Sequence, residues 1–261
     1  MIENSASQRA GRRLSVRLAS TPEDIRAAQI LRWHIFYGAM GATPEAGAGA
    51  QELDLDRFDP VCDHLLVEDH QSGQPVVVGT YRLLRRSVAE AHGGFYSAGE
   101  YDLEAMIASS DGELLELGRS CVAPAYRDAG TIQLLWRGIA SYLQRHGIVR
   151  MFGCASFPGT DPDAHAAALA YLFHNHLAPA PLRARAVPHR FVEMARLPIG
   201  GYDPRVALRM LPPLIKGYLR VGASVGEGAV VDRQFNTVDV FMIMPVDLIS
   251  ARYLERFGAA A

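Results

Sequence analysis

The sequence predicts an α/β (α+β) fold in which helices flank a mixed central sheet. Two stretches carry that prediction. His64 to Glu68 and Pro75 to Leu84 are apolar runs separated by Asp69-His70-Gln71-Ser72-Gly73-Gln74, which is turn chemistry and reads as a β-hairpin. Leu114 to Ser156 reads as strand, arginine-bearing turn, helix and strand, and two strands joined by a crossover helix run parallel. A hairpin is antiparallel, so one sheet holding both stretches is mixed.

Taken in order, residues 1–17 carry Arg9, Arg12, Arg13 and Arg17 among small polar residues and read as a flexible arm able to touch an anionic surface. Residues 18–261 then form a single domain. Thr21-Pro22-Glu23-Asp24 is a helix start, with a hydroxyl cap, proline at the first position and acids in the first turn. That helix continues to Met40, and residues 41–60 are a Gly- and Ala-rich loop suited to ordering over a substrate. After the hairpin, residues 85–110 include a flexible, Gly-containing segment. Leu114 to Val122 alternates as a half-buried strand that Pro124 ends. Ile132, Leu135, Trp136, Ile139 and Leu143 recur at helical spacing, and Gly147 stands where a left-handed cap stops that helix. Val149 to Ser156 is the parallel strand. Asp161 and Pro162 start a further helix, Arg183 to Val187 and Thr237 to Val246 are strand-like, and Asp247 to Phe257 reads as a short amphipathic helix.

Composition narrows the function. The net charge of −2 over 261 residues argues against nucleic acid as a partner. Lys216 is the only lysine, so each arginine must be justified by its position. No apolar run is long enough to cross a bilayer and the first residues lack the apolar centre of a secretory signal, so a cytoplasmic location is expected. Cys62, Cys121 and Cys154 lie far apart, without metal-ligand or disulfide-framework spacing. His165, His174 and His176 share one helix without an acidic or cysteine co-ligand at matching spacing, so no metal is expected.

Glu116 and Arg119 are charged residues, three apart, in a strand otherwise suited to burial. Residues three apart in a regular strand face opposite sides. A bulge at Gly118 is therefore expected, bringing both to one site; the alternative is that each serves its own ion pair on its own face. Beyond the strand, Arg127, Gly130 and Thr131 stand at the start of the following helix, whose first amides lack internal acceptors. This is an arrangement that cradles phosphate. Cys154, a lone strand cysteine, reads as core rather than as an acylated nucleophile.

Together these residues resemble the GCN5-related N-acyltransferase (GNAT) fold. Within it, Arg32 and Phe36, Asp56-x-x-Asp59, Arg82 and Glu116-x-x-Arg119 are similar to the acyl-homoserine-lactone synthases. A closer resemblance, from about Leu14 to Phe257, is to the ornithine N-acyltransferases of ornithine-lipid synthesis. It rests on LELGRSCVAPAYRDAGTIQLLWRGI, CASFPGTDP, LPPLIKGYLRVGA and FNTVDVFMIMPV. The resemblance implies transfer of a 3-hydroxyacyl group from acyl carrier protein to the α-amine of L-ornithine, with peripheral contact at the inner membrane. It implies no tightly bound cofactor, the phosphopantetheine arm of the carrier entering as part of the substrate. Ile132 stands where the broader fold usually has Gly or Ala, which fits the single phosphate of a carrier arm better than a coenzyme A pyrophosphate.

Amide formation requires a base and donors to the thioester oxygen. Glu116 is the candidate base, and the amides around Cys121 and Val122 are the candidate donors. Arg119 either orients Glu116 or holds the acceptor carboxylate. Asp56 and Asp59 either receive ornithine's side-chain ammonium, with Arg82 on its carboxylate, or form a loop-ordering ion network with Arg32 and Arg82. Two other classes share part of the pattern. A lactone synthase would use S-adenosylmethionine and normally lacks so long a C-terminal half, and a noncatalytic acyl-carrier or lipid-binding module would need no Glu116.

Overall fold

The computed structural model describes residues 11–44 and 51–248. Strand β1 (Leu14–Leu18) comes first. Helix α1 (Pro22–Trp33) opens with the reciprocal Thr21/Asp24 capping box and passes into a π-helical turn, His34–Ala39. The hairpin follows as β2 (Asp63–Asp69) and β3 (Val76–Arg85). The segment expected to be flexible is instead built from α2 (Arg86–Ala91), a 3-10 turn at Tyr96–Gly99, β4 (Tyr101–Asp102) and α3 (Glu104–Ala108). Its Phe95, Tyr101 and Met106 are buried, and that apolar anchorage outweighs its glycines.

The central unit is β5 (Glu113–Val122), α4 (Ala129–His146) and β6 (Ile148–Pro158). Gly147 takes the left-handed conformation at the end of α4, with φ 62°. The remaining elements are α5 (Ala166–His176), β7 (Arg185–Ala186), β8 (Phe191–Val192), α6 (Pro204–Met210), α7 (Pro213–Arg220), β9 (Ser224–Asp232) and β10 (Thr237–Pro245). The strand order is β1-β2-β3-β5-β6-β10-β9-β7-β4, with β8 on β9. The β5/β6 pair is parallel, as the crossover predicts, and β2/β3 is antiparallel.

Residues 14–17, expected in the flexible arm, are an edge strand on β2. Leu14, Val16 and Leu18 pack on the core, while Arg17 turns the other way to Asp24 and Glu68 at 2.7 and 2.6 Å. Five residues are too few for the alternation to stand out from the surrounding arginines. Residues 1–10, part of the 41–60 loop and most of the expected C-terminal helix lie outside the described residues.

The sheet has an apolar core on each face. Leu115, Leu117 and Met151 pack with Leu135 and Ile139 of α4, whereas Leu114 and Phe152 pack with Phe95, Tyr101 and Phe241. Side chains alternate along a strand, so Glu116 shares the face of Leu114, under the 86–108 segment.

Candidate active site

The site begins with an irregularity in β5. Thr80 pairs with Cys121 and Arg82 with Gly118, which leaves Arg119 and Ser120 together opposite Tyr81. The expected bulge is present, displaced by one residue: Arg119, rather than Gly118, takes a positive φ of 50°. For a branched-free but non-glycine residue that conformation costs about 1–2 kcal/mol. Contacts on every side of the side chain hold it there. Arg119 Nε and Nη2 donate to Asp54 Oδ2 at 3.2 Å and Asp56 Oδ2 at 3.0 Å, and the guanidinium lies 4.8 and 4.5 Å from the ring centroids of Tyr96 and Phe235. Glu116 and Arg119 thereby line the same cavity.

That cavity exists because β5 and β6 part company. Their parallel pairing ends at Glu116 and Phe152. At the next residue, Gly153, an added Cβ would lie 2.2 Å from the Leu117 carbonyl oxygen, so the closest approach of the two strands requires glycine. Beyond it β6 pairs only with β10 and β5 only with β3. The Ala123 amide donates to the Val78 carbonyl at 2.8 Å, and strand alternation therefore turns Val122's own amide and carbonyl away from β3, into the gap. Its carbonyl accepts from Arg127 Nε at 3.0 Å. The cavity measures about 610 Å³ and its walls are mainly apolar, including Phe36, Met40, Trp136 and Leu214. Ile132, half-exposed, also lines it.

Glu116 is 3% exposed. Its carboxylate accepts from the Tyr96 amide at 2.8 Å, the Ser97 amide at 2.7 Å and the Ser97 hydroxyl. Burial pushes its pKa up, while the Ser97 hydroxyl and the two amides pull it back, and the net shift is upward. A buried carboxyl with a raised pKa, three fixed donors and one face on a cavity is suited to proton transfer.

Next to it is a compact ion network. Arg32, fully buried, reaches Asp54 at 2.7 Å and Asp59 at 2.8 Å, and also donates to the Asp54 carbonyl. Arg82 pairs with Asp56 at 2.7 Å and approaches Asp59 at 3.7 Å. Asp59 Oδ2 accepts the Asp56 amide at 2.9 Å, and the Tyr37 hydroxyl donates to Asp54 at 3.2 Å. Burial alone would raise Asp56, but Arg82 and Arg119 hold its carboxyl below the usual range. Three arginines and three aspartates compensate one another within the 54–59 loop. Asp54 went unrecognised in the sequence because it falls outside the Asp56-x-x-Asp59 spacing.

The cradle residues separate. Cys121, Val122 and Arg127 line the cavity, whereas Gly130 and Thr131 do not. Thr131 is fully buried and gives its amide, at 3.0 Å, and its hydroxyl, at 3.2 Å, to the Asp128 carboxylate. Asp128 is thus the N-cap of α4, and Arg12 neutralises it at 2.7 Å. A cap carboxylate satisfies the helix start that the sequence reading offered to phosphate.

On the far side of Glu116, Cys154 Sγ lies 3.7 Å from Ser97 Oγ and 3.4 Å from Glu100 Oε2. Burial raises its thiol far above the ordinary value, the opposite of what an activated nucleophile needs. Glu100, Asp232 and Asp239, all buried, bring carboxylate oxygens within 4.8 Å of one another. Sequence spacing gave no sign of this group, since its members come from the Tyr96–Gly99 border, β9 and β10. The three helix histidines are bound separately: His165 to the Pro158 carbonyl, His174 to that of Leu197, and His176 to the Tyr171 hydroxyl.

The chain is similar to FeeM, an N-acyl amino acid synthase from uncultured soil microbes (TM-score 0.52, 13% identity, covering 92% of this chain and 95% of that one). It is also similar to the acyl-homoserine-lactone synthase LasI (TM-score 0.50, 14% identity, 95% and 96%). Residues 31–137 match the acetyltransferase (GNAT) domain family. At the level of sequence, it is 49% identical over 252 residues to the L-ornithine N(alpha)-acyltransferase of Brucella abortus (strain 2308), covering 95% of this chain and 90% of that protein. The enzyme of the same name from Agrobacterium fabrum (strain C58 / ATCC 33970) is 46% identical, with 95% and 86% covered. The chain belongs to the L-ornithine N(alpha)-acyltransferase family.

As a member of the L-ornithine N(alpha)-acyltransferases it is an acyltransferase, built on the GNAT fold that the sequence led us to expect. The expected site residues Glu116, Arg119, Arg82, Cys121, Val122 and Arg127 meet at one cavity, while Arg32, Asp56 and Asp59 do not line it. Among the described residues no helix is long and apolar enough to cross a membrane.

Proposed function

We propose that this enzyme moves a 3-hydroxy fatty acyl group from the thioester of acyl carrier protein to the α-amine of L-ornithine, giving lyso-ornithine lipid. The observation that carries the reading is the buried Glu116 carboxylate opening onto a mainly apolar cavity of about 610 Å³ at the parting of β5 and β6. Apolar walls suit an acyl chain. A charged group with fixed donors suits the proton that an attacking amine must lose.

In the reaction the amine attacks the thioester carbon as Glu116 accepts its proton. The Val122 amide, facing the gap, donates to the oxygen as charge develops there. Collapse re-forms the carbonyl and breaks the carbon–sulfur bond, and the departing thiolate takes up the proton that Glu116 received, leaving as the carrier thiol with the carboxylate restored. The phosphopantetheine arm is part of the substrate, and Arg127, on the cavity wall, meets its phosphate. Arg119 positions Glu116 indirectly, by stacking on Tyr96, whose amide donates to the carboxylate. Asp56 and Asp59, already matched by Arg32, Arg82 and Arg119, order the loop.

We place the enzyme in the cytoplasm with peripheral contact at the inner membrane. In support, Ile199 and the α6 residues Val206, Leu208 and Met210 are exposed, close in sequence to Pro212, Pro213 and Leu214 of the cavity wall. Mass spectrometry after incubation with 3-hydroxyacyl carrier protein and a mixture of amino acids tests the function. N-acylornithine is expected. A lactone, or acylation of other amino acids in its place, overturns the reading.

A further inference from the structure

The 54–59 loop leaves the acceptor's second positive charge unanswered, since its three aspartates are matched by three arginines. The Glu100, Asp232 and Asp239 group is differently placed. Arg190 pairs with Glu100 at 3.0 Å, and no other ion pair to these three acids occurs among the described residues. Asp239 is 7% exposed, and its Oδ1 is buried with no hydrogen-bonding partner; the Ser156 and Thr237 hydroxyls alongside ease its charge without reaching that atom in bonding geometry. Thr237 Oγ1, 1% exposed, is likewise unpartnered. Asp239 and Thr237 both line the cavity that holds Glu116. Two unsatisfied oxygens in the wall of a reaction cavity are costly unless a donor arrives with the substrate.

Position supports the same conclusion. Asp232 and Tyr96 line both the main cavity and a second one of about 460 Å³, which Glu100 and Arg190 also border. The acid group therefore stands between the acyl cavity and a second opening. Cys154 Sγ touches Ser97 Oγ, itself a donor to Glu116, and Glu100 Oε2. Three polar contacts, through Ser97 and Cys154, thus join the base to the acids.

We propose that Glu100, Asp232 and Asp239 seat the side-chain ammonium of a diamino acid acceptor, with Thr237 Oγ1 beside them, and so set the preference for ornithine. The inference rests on the acceptor reading above. Oxygens up to 4.8 Å apart are bridged by one ammonium at charge-assisted distances of about 2.8 Å. An ammonium brings three donors to acceptor-only groups and reduces the negative charge that Arg190 leaves uncompensated. Burial raises Glu100 to about 7 and Asp239 to about 6, as expected of acids awaiting a cation.

The test is competition between ornithine and norvaline, which has the same carbon chain without the second amine, using wild type, Asp239→Asn, Asp232→Asn and Thr237→Val. Asp239→Asn and Asp232→Asn should each lower the ornithine-to-norvaline ratio of kcat/KM roughly tenfold or more, the effect of losing a charge-assisted bond, and Thr237→Val should lower it less. Thermal melts establish that each variant is folded, and any one folded carboxylate variant suffices. Wild type that prefers ornithine, with folded variants that keep the preference, overturns the ammonium seat and leaves the acceptor reading standing. Wild type that acylates no ornithine overturns both. Reactions are repeated with Mg²⁺, Ca²⁺ or EDTA: unaltered discrimination is expected, and discrimination that requires the metal ion overturns the seat in favour of a metal centre.

Discussion

Ser97 holds the Glu116 carboxylate twice, through its backbone amide at 2.7 Å and through its hydroxyl. Both donors favour the charged form against the burial that opposes it. Glu116→Gln keeps the shape and removes the base, and turnover should fall on the order of a hundredfold or more with the fold intact. Ser97→Ala removes one donor to the charged form and should move the acid limb of the kcat/KM profile to higher pH. A wild-type rate in folded Glu116→Gln would remove this carboxylate from the mechanism, and an unmoved limb in Ser97→Ala would mean that the limb reports some other group.

Arg127→Ala should weaken use of acyl carrier protein, because a charge-assisted phosphate contact is lost, and added salt should act in the same direction by screening an acidic partner. Carrier-protein KM is the readout, with a rise of roughly tenfold for the variant. Arg127 also donates to the Val122 carbonyl and so fixes the backbone of the residue whose amide receives the oxyanion, and kcat should fall with it. An unaltered KM at low and high salt would place the phosphate elsewhere.

How much of this was legible in the sequence depended on the range of the interaction. The β5–α4–β6 unit was readable because its signals are local: alternation, helical spacing, and Gly147 as a stop. The bulge was inferred from two charges out of phase, but its left-handed residue was misplaced by one. Gly118 has the backbone freedom, while Arg119 has the partners, and contacts from Asp54, Asp56, Tyr96 and Phe235 outweigh intrinsic preference. The turn after β5 departs from its local expectation for a similar reason. A free helix start is a local expectation, and Asp128 at the cap, neutralised by Arg12 from 116 residues away, overrides it. Glu100, Asp232 and Asp239 had no local signal at all, being assembled by the sheet order alone.

The ion network of Arg32 and its aspartates should behave as a structural element. Arg32→Leu leaves Asp54 and Asp59 buried without their partner and should destabilise by about 3–5 kcal/mol in denaturant unfolding. Asp59→Asn should be milder in the same assay and should lower the rate equally for every acceptor. A selective loss of ornithine over norvaline in Asp59→Asn would return the acceptor to the 54–59 loop.

Stability against pH should depend on the buried Glu100 carboxyl. Glu100 is raised from 4.5 to about 7, first by burial and then by the nearby Asp239 and Asp232, against the pull of Arg190 and of Cys154 as a donor. A carboxyl whose folded pKa lies above its unfolded value binds its proton more tightly when folded. Its contribution is fully present below pH 4.5 and is lost as the pH rises towards 7. Asp239, raised to about 6, acts in the same direction. Asp24, Asp56 and Asp69 act oppositely, since their carboxyls are held below the usual range and their contribution is lost as the pH falls. Wild-type stability alone therefore mixes both trends, and the informative quantity is the difference from Glu100→Gln, which cannot titrate. That difference should shift in favour of the variant by roughly 1–3 kcal/mol between pH 4.5 and pH 7, and level off above. Denaturant unfolding of both proteins across this window provides the measurement. Parallel stability curves would mean that Glu100 titrates alike in the folded and unfolded chains, with Arg190 offsetting its burial in full.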